Sequence, residues 1–165
     1  MITLGVDDLA VARAFYARLG FEAAGVDSND VCFFDMSGTV LGLYGRQALA
    51  DEAHLSDTNL SEAKLSEASG SEISATGSGR GFRGLSCALN LDSKAAVDAA
   101  FELVTSAGGT VMKAPEHVFW GGYSGYFADP DGHLWEIAYN PIAKLDANGH
   151  MQLPPPSSSQ TSQPE

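Results

Sequence analysis

One carboxylate in this chain stands in a setting that asks for an explanation. Leu134-Trp-Glu-Ile-Ala-Tyr139 reads as a strand, and a strand sends alternate side chains to opposite faces. Trp135, Ile137 and Tyr139 then share one face, bulky enough to pack on helices, and Leu134, Glu136 and Ala138 share the other. An acid on an otherwise apolar face needs a partner, a ligand, a metal or water. Glu136 is therefore the candidate catalytic residue, able to act as a general base or as a hydrogen-bond acceptor for a ligand. As a structural residue it would pair instead with Arg46, Arg80 or Arg83.

Trp120, Tyr123 and Tyr126 gather just before this strand. Together they would make an aromatic wall for a planar or cationic ligand; the alternatives are a core cluster or a dimer contact. The histidines offer less. His54 and His117 sit in loop-like contexts, and His150 lies near the C-terminus. His133 is three residues from Glu136, so in a strand the two point to opposite faces and cannot easily share an ion.

The elements that must position these residues follow from periodicity and punctuation. Ile2–Val6 reads as a strand, Asp8 as an N-cap, and residues 9–19 as a helix with Leu9, Ala12, Phe15, Tyr16 and Leu19 along one side. Strands follow at residues 21–26, 31–36 and 39–44, then a short helical turn at 47–54. The order restarts with a strand at 85–91 and a helix at 94–107, capped by Asp92 or Ser93, whose buried stripe is Ala96, Ala100, Phe101 and Val104. A strand at 110–113 and a hairpin around Asp129-Pro130-Asp131-Gly132 complete it; Pro, Asp and Gly are the residues such a turn requires. The fold class is α+β: two tandem βαβββ modules, 1–54 and 81–142, building a curved mixed-sheet cup within one domain, 1–142. Residues 55–80 repeat Leu-Ser every five residues, a period of neither helix nor strand, and read as a flexible acidic linker. Residues 143–165, ending in a Pro- and Ser-rich stretch, read as a disordered tail.

Composition bounds the partners. The net charge of −12 argues against nucleic acid, which needs a basic face. Part of that charge lies in residues 51–80 and reads as linker solvation. No apolar run approaches the roughly 20 residues that span a bilayer. Met1 leads straight into a strand with no signal peptide, so a cytoplasmic location is expected. Cys32 and Cys87 lie in separate apolar runs and read as two buried thiols outside any disulfide.

The module order, Gly5-Val6-Asp7-Asp8-Leu9 with Phe15-Tyr16 and Leu19-Gly20-Phe21, and Asp129-Pro130-Asp131-Gly132 with Glu136 four residues on, resemble the vicinal oxygen chelate superfamily. That group includes glyoxalase I, extradiol dioxygenases, fosfomycin-resistance enzymes and bleomycin-resistance proteins. The resemblance implies a cup-shaped site, frequent homodimers, and in many members a divalent metal acting as Lewis acid. Its four ligand positions fall on Met1, near Gly42, on Ser86 and on Glu136, and only the last is a metal ligand by type. The expectation is therefore a metal-independent protein without cofactor, holding a small organic molecule in the cup, with sequestration as one version. The acidic chain favours a cationic ligand. The alternatives are a metal-dependent lyase or dioxygenase of the same superfamily, with a divalent ion on Glu136 and ligands elsewhere, and a metal-free enzyme with Glu136 as base.

Alternation predicts the neighbours of Glu136 in the cup. Thr3 and Gly5 come from the first strand, Val40, Gly42 and Tyr44 from the fourth, and Ser86, Ala88 and Asn90 from the first strand of module 2. Small and polar residues would line the cup and aliphatic residues its back, as a ligand cavity needs. The candidate ligand-binding residues are Thr3, Tyr44, Ser86, Asn90, Trp120, Tyr123 and Tyr126.

Overall fold

The computed structural model describes residues 1–25, 28–55, 82 and 84–152. The first module runs β1 (Ile2–Val6), α1 (Leu9–Arg18), β2 (Ala23–Ala24), β3 (Val31–Asp35), β4 (Val40–Gly45) and α2 (Arg46–Glu52). The second runs β5 (Cys87–Leu91), α3 (Lys94–Ala107), β6 (Thr110–His117), β7 (Tyr123–Ala128) and β8 (Leu134–Tyr139). Each module makes a four-stranded mixed sheet, in the orders β1-β4-β3-β2 and β5-β8-β7-β6. In each, the first strand pairs parallel to the last and the other pairs are antiparallel. The α+β class and the repeated βαβββ order stand.

Local chemistry explains the helix ends. The Asp8 carboxylate accepts the Ala10 and Val11 amides at 2.9 and 3.0 Å and starts α1. The Ser93 hydroxyl accepts the Ala96 amide at 3.2 Å and starts α3. Gly108, at φ 99°, stops α3 in the left-handed conformation that glycine adopts without strain.

The apolar faces of both sheets meet α1 and α3 in one core. Leu4, Val6, Leu41 and Leu43 come from sheet one, Cys87, Phe127, Trp135 and Ile137 from sheet two. Tyr16 of α1 binds the halves together, its ring 5.9 Å from Phe34 and 5.8 Å from Trp135. Its hydroxyl donates to Asp129 Oδ2 at 2.6 Å and accepts from Trp135 Nε1 at 3.0 Å. Asp129 is itself buried, and its Oδ1 accepts the Asp131 and His133 amides. The hairpin turn of module 2 is thereby bolted to the helix of module 1. Among the described residues no helix is long and apolar enough to cross a membrane.

Several boundaries differ from expectation, each for a physical reason. Of the strand expected at 21–26, Val26 lies outside the described residues; in the rest Phe21 turns inward, 5.4 Å from the Tyr16 ring, and pairing is confined to Ala23–Ala24. The strand expected from residue 85 begins at Cys87, because Leu85 lies exposed before pairing starts. The strand expected to end at 113 continues to His117 through two register shifts; β6 is an edge strand, where a proline such as Pro115 costs no ladder bond. The stripe of α3 is Val97, Phe101, Val104 and Ala107, with Ala96 and Ala100 at its margins, since the bulkier side chains take the core. The linker 55–80 lies, beyond Leu55, outside the described residues.

The tail does not lose its structure at residue 143. Lys144–Leu145 (β9) pairs antiparallel with Met151–Gln152 (β10). The turn between them repeats the chemistry of the Asp129 turn. Asp146 Oδ1 accepts the Asn148 and His150 amides at 2.8 and 3.0 Å, as Asp129 Oδ1 accepts those of Asp131 and His133 at 3.0 and 2.8 Å. Backbone bonds close both turns in the same way, Asp146 to His150 and Gly149 to Asp146, Asp129 to His133 and Gly132 to Asp129. The amides of His150 and Asn148 hold the Asp146 carboxyl below its usual range.

Candidate functional site

Glu136 lies half-buried on the face of β8 turned away from the core, between Ala88 of β5 and Tyr126 of β7. Tyr126 stands directly opposite it in the β7–β8 ladder, and desolvation and then the carboxylate raise its phenol. Beyond Tyr126 on β6, the Lys113 ammonium stands 6.0 Å from the Tyr126 ring centroid and 2.9 Å from Glu116. The next row on this face joins Asn90, Ala138 and Ser124. Ser86 lies just before β5, its hydroxyl 3.4 Å from the Cys87 carbonyl.

The three aromatic candidates do not form one wall. Tyr123 and Tyr126 are three residues apart on one strand and point to opposite faces. Tyr123 turns to α3, where its hydroxyl donates to Asp98 at 2.8 Å. Trp120 folds back over Gly122, so closely that a Cβ there would meet its ring at 1.8 Å. Only Tyr126 joins Glu136.

On module 1 the glycines make room for neighbours, and Gly5 also lines a cavity. A Cβ on Gly42 would meet the Phe33 ring at 3.4 Å and Thr3 Oγ1 at 3.6 Å. A Cβ on Gly5 would meet the Arg46 backbone at 3.2 Å and Leu49 at 3.4 Å, so α2 lies over it. Thr3 stays exposed opposite Gly42, and Tyr44 is half-buried opposite Gly5. Arg46 does not pair with Glu136 either: it holds Asp7 at 2.5 Å and lies 3.9 Å from Asp131. Arg80 and Arg83 lie outside the described residues.

A cavity of about 330 Å³ opens between β1 and the β7–β8 hairpin. Thr3 lines it; Glu136, Tyr126, Tyr44 and Asn90 do not. Cys87 is on its wall, and neither Cys87 nor Cys32 forms a disulfide. Burial, then the Asp129 charge, pushes the Cys87 thiol up, which keeps it protonated and slow to react.

Burial, then the Asp129 charge and bond, also holds the Tyr16 phenol far above its usual range. Tyr126 is raised by desolvation and then by Glu136, and Tyr123 mainly by its bond to Asp98. The unfolded chain ionises these phenols near pH 10. Their contribution to stability is therefore complete below about pH 10 and is lost as pH rises through the higher folded values. Absorbance near 295 nm should show the three titrating late in the native protein, with urea midpoints falling above about pH 10; midpoints flat across that range would contradict it.

Comparison with known proteins settles the family. The model of the Glyoxalase/Bleomycin resistance protein/Dioxygenase superfamily matches residues 1–137. The chain belongs to this superfamily. Among solved structures it is similar to a glyoxalase-related enzyme from Fulvimarina pelagi, at 29% identity over 92% of this chain and 94% of that one, with a TM-score of 0.72. The fold is shared with a lactoylglutathione lyase from Agrobacterium tumefaciens, at 24% identity over 85% and 92% of the two chains, TM-score 0.55. It is shared also with a fosfomycin resistance protein from Listeria monocytogenes, at 22% identity over 86% and 91%, TM-score 0.57. No curated protein matches the chain.

Members of the glyoxalase superfamily often use divalent metals. Among the described residues the donors do not make up a metal site. The superfamily's ligand positions hold Met1, exposed at 77%, Gly42 under Phe33, Ser86, and Glu136 opposite Tyr126. A catalytic ion needs about three protein ligands. Among the described residues no three His, Cys, Asp or Glu side chains converge. His133 Nε2 is held by the Gly5 carbonyl at 2.9 Å, His117 packs on Tyr123, and His150 lies 3.4 Å from Asp146.

Proposed function

We propose that this glyoxalase-superfamily chain binds a small organic molecule on the open face of module 2, without a metal, and holds it by sequestration. The observation that carries the reading is the Glu136–Tyr126 pair beside the exposed Ala88, on the face turned away from the core. Glu136 supplies a charged acceptor and Tyr126 an aromatic face. Lys113 already places an ammonium 6.0 Å from that ring, the geometry a cationic ligand would use. A cation is therefore the favoured ligand class, in keeping with the net charge of −12. The reading includes a homodimer, in which a second copy closes the open face.

The test is a thermal-shift and calorimetry panel of small aromatic ammonium compounds, each beside its neutral and carboxylate analogues. Glu136→Gln should weaken the best ammonium binder about 10- to 100-fold, as loss of one charge-assisted hydrogen bond does. Tyr126→Phe should cost less. Light scattering should give twice the 17.3 kDa chain mass. Carboxylates binding as well as ammoniums would sink the reading. One divalent ion per chain, lost in Glu136→Ala, would replace it with a metal-dependent lyase or dioxygenase. Turnover lost in Glu136→Gln with binding retained would make Glu136 a general base.

A further inference from the structure

We propose that the cavity between β1 and the β7–β8 hairpin is a second small-molecule site, which takes a neutral one- or two-ring aromatic bearing a single hydrogen-bonding group, of the phenol or indole type. The inference is independent of the Glu136 reading, since Glu136 and Tyr126 are not on the cavity wall. At about 330 Å³ the space lies at the small end of ligand pockets. Leu4, Cys87, Met112 and Leu134 supply apolar wall, and Met112 is suited to the sulfur–aromatic contact.

Among the described residues no Asp, Glu, Lys or Arg lines the cavity. An ion entering it would lose its hydration with no charged side chain of the described wall to touch, and a neutral ligand avoids that cost. Two polar side chains remain to orient it. His133 lies 2.9 Å from the Gly5 carbonyl through Nε2. A carbonyl only accepts, so Nε2 carries the proton, and in the neutral ring Nδ1 is left as an acceptor. The Thr3 hydroxyl can donate or accept. An aromatic O–H or N–H matches that pair. The wall draws on both modules, β1 from the first and the hairpin from the second, so an occupant ties the modules together and stabilises the fold by an amount that grows with the logarithm of its concentration above Kd.

Iodoacetamide labelling of the full chain, with the modified cysteine located by mass spectrometry, tests this with phenol and indole as probes. Either probe should slow Cys87 labelling by about fivefold at a few times its Kd, while Cys32, buried but not on the wall, slows only as far as the whole fold is stabilised. Leu134→Trp, whose ring occupies the space, should abolish the protection. Benzoate and benzylamine should protect weakly or not at all. An unprotected Cys87, protection that survives in Leu134→Trp, or protection by benzoate equal to that by phenol overturns the proposal. If Leu134→Trp does not fold, Met112→Trp, at a position 60% exposed, gives the same reading.

Discussion

Tyr16→Phe should destabilise the chain by about 3 kcal/mol, a loss out of proportion to one oxygen atom. The hydroxyl donates to Asp129 Oδ2 at 2.6 Å and accepts from Trp135 Nε1 at 3.0 Å. Its removal strands a carboxylate oxygen and an indole N–H in the core, where water cannot replace it. An unsatisfied buried partner costs about 1–3 kcal/mol, and more when it is charged. For a domain of this size that lowers Tm by about 6–12 °C. Asp129→Ala should cost more, because the Asp131 and His133 amides lose their acceptor as well. Asp129→Asn should cost less, since an amide oxygen keeps those turn bonds. The double variant Tyr16→Phe/Asp129→Ala should fall well short of the sum of the singles, as expected for one shared network. Urea melts of the four proteins decide it. Full additivity, or a Tyr16→Phe cost below about 1 kcal/mol, would show that the hydroxyl does not bind the two modules.

Gly125→Ala should cost about 3 kcal/mol, whereas Gly122→Ala should cost less than about 1 kcal/mol despite a shorter overlap. At Gly125 a Cβ would lie 2.6 Å from the Phe101 ring, 2.8 Å from the Lys113 carbonyl and 2.9 Å from the Pro115 nitrogen. Two of these are backbone atoms of the paired strand, and Phe101 is locked in the core, so relief requires β6 or α3 to move. At Gly122 the overlap of 1.8 Å is with the Trp120 ring, at the far end of a side chain in the loop between β6 and β7. That ring can swing away by rotation about its own bonds. Chemical denaturation of both variants gives the comparison. Equal costs would mean that Trp120 is held as firmly as the core. A harmless Gly125→Ala would mean that β6 yields where it packs on α3.

Much of this architecture was legible because its signals are local. Asp8, Ser93 and Gly108 mark helix ends through bonds to atoms a few residues away. The βαβββ order follows from period and turn residues alone. The alternation that put Glu136 opposite Trp135 in β8 also separates Tyr123 from Tyr126 in β7, and those two could have been divided on the same ground. The ordered hairpin after residue 143 had a local signal too, because Asp146-Ala-Asn-Gly-His150 repeats the spacing of Asp129-Pro-Asp-Gly-His133. The low hydrophobicity of the flanking residues obscured it.

The sequence by itself determined the modules, their strand order and the face on which Glu136 stands, since caps, turns and alternation act over a few residues. Tertiary structure decided what occupies the space above each face. Phe33 covers Gly42, so that glycine makes room for a neighbour, whereas Gly5 lies under α2 and also borders the cavity beside β1. Tyr123 is claimed by Asp98, Arg46 by Asp7, and His133 by Gly5, partners up to 128 residues away. Such pairings depend on how two sheets and two helices close on one core, and no periodicity within a single element encodes them.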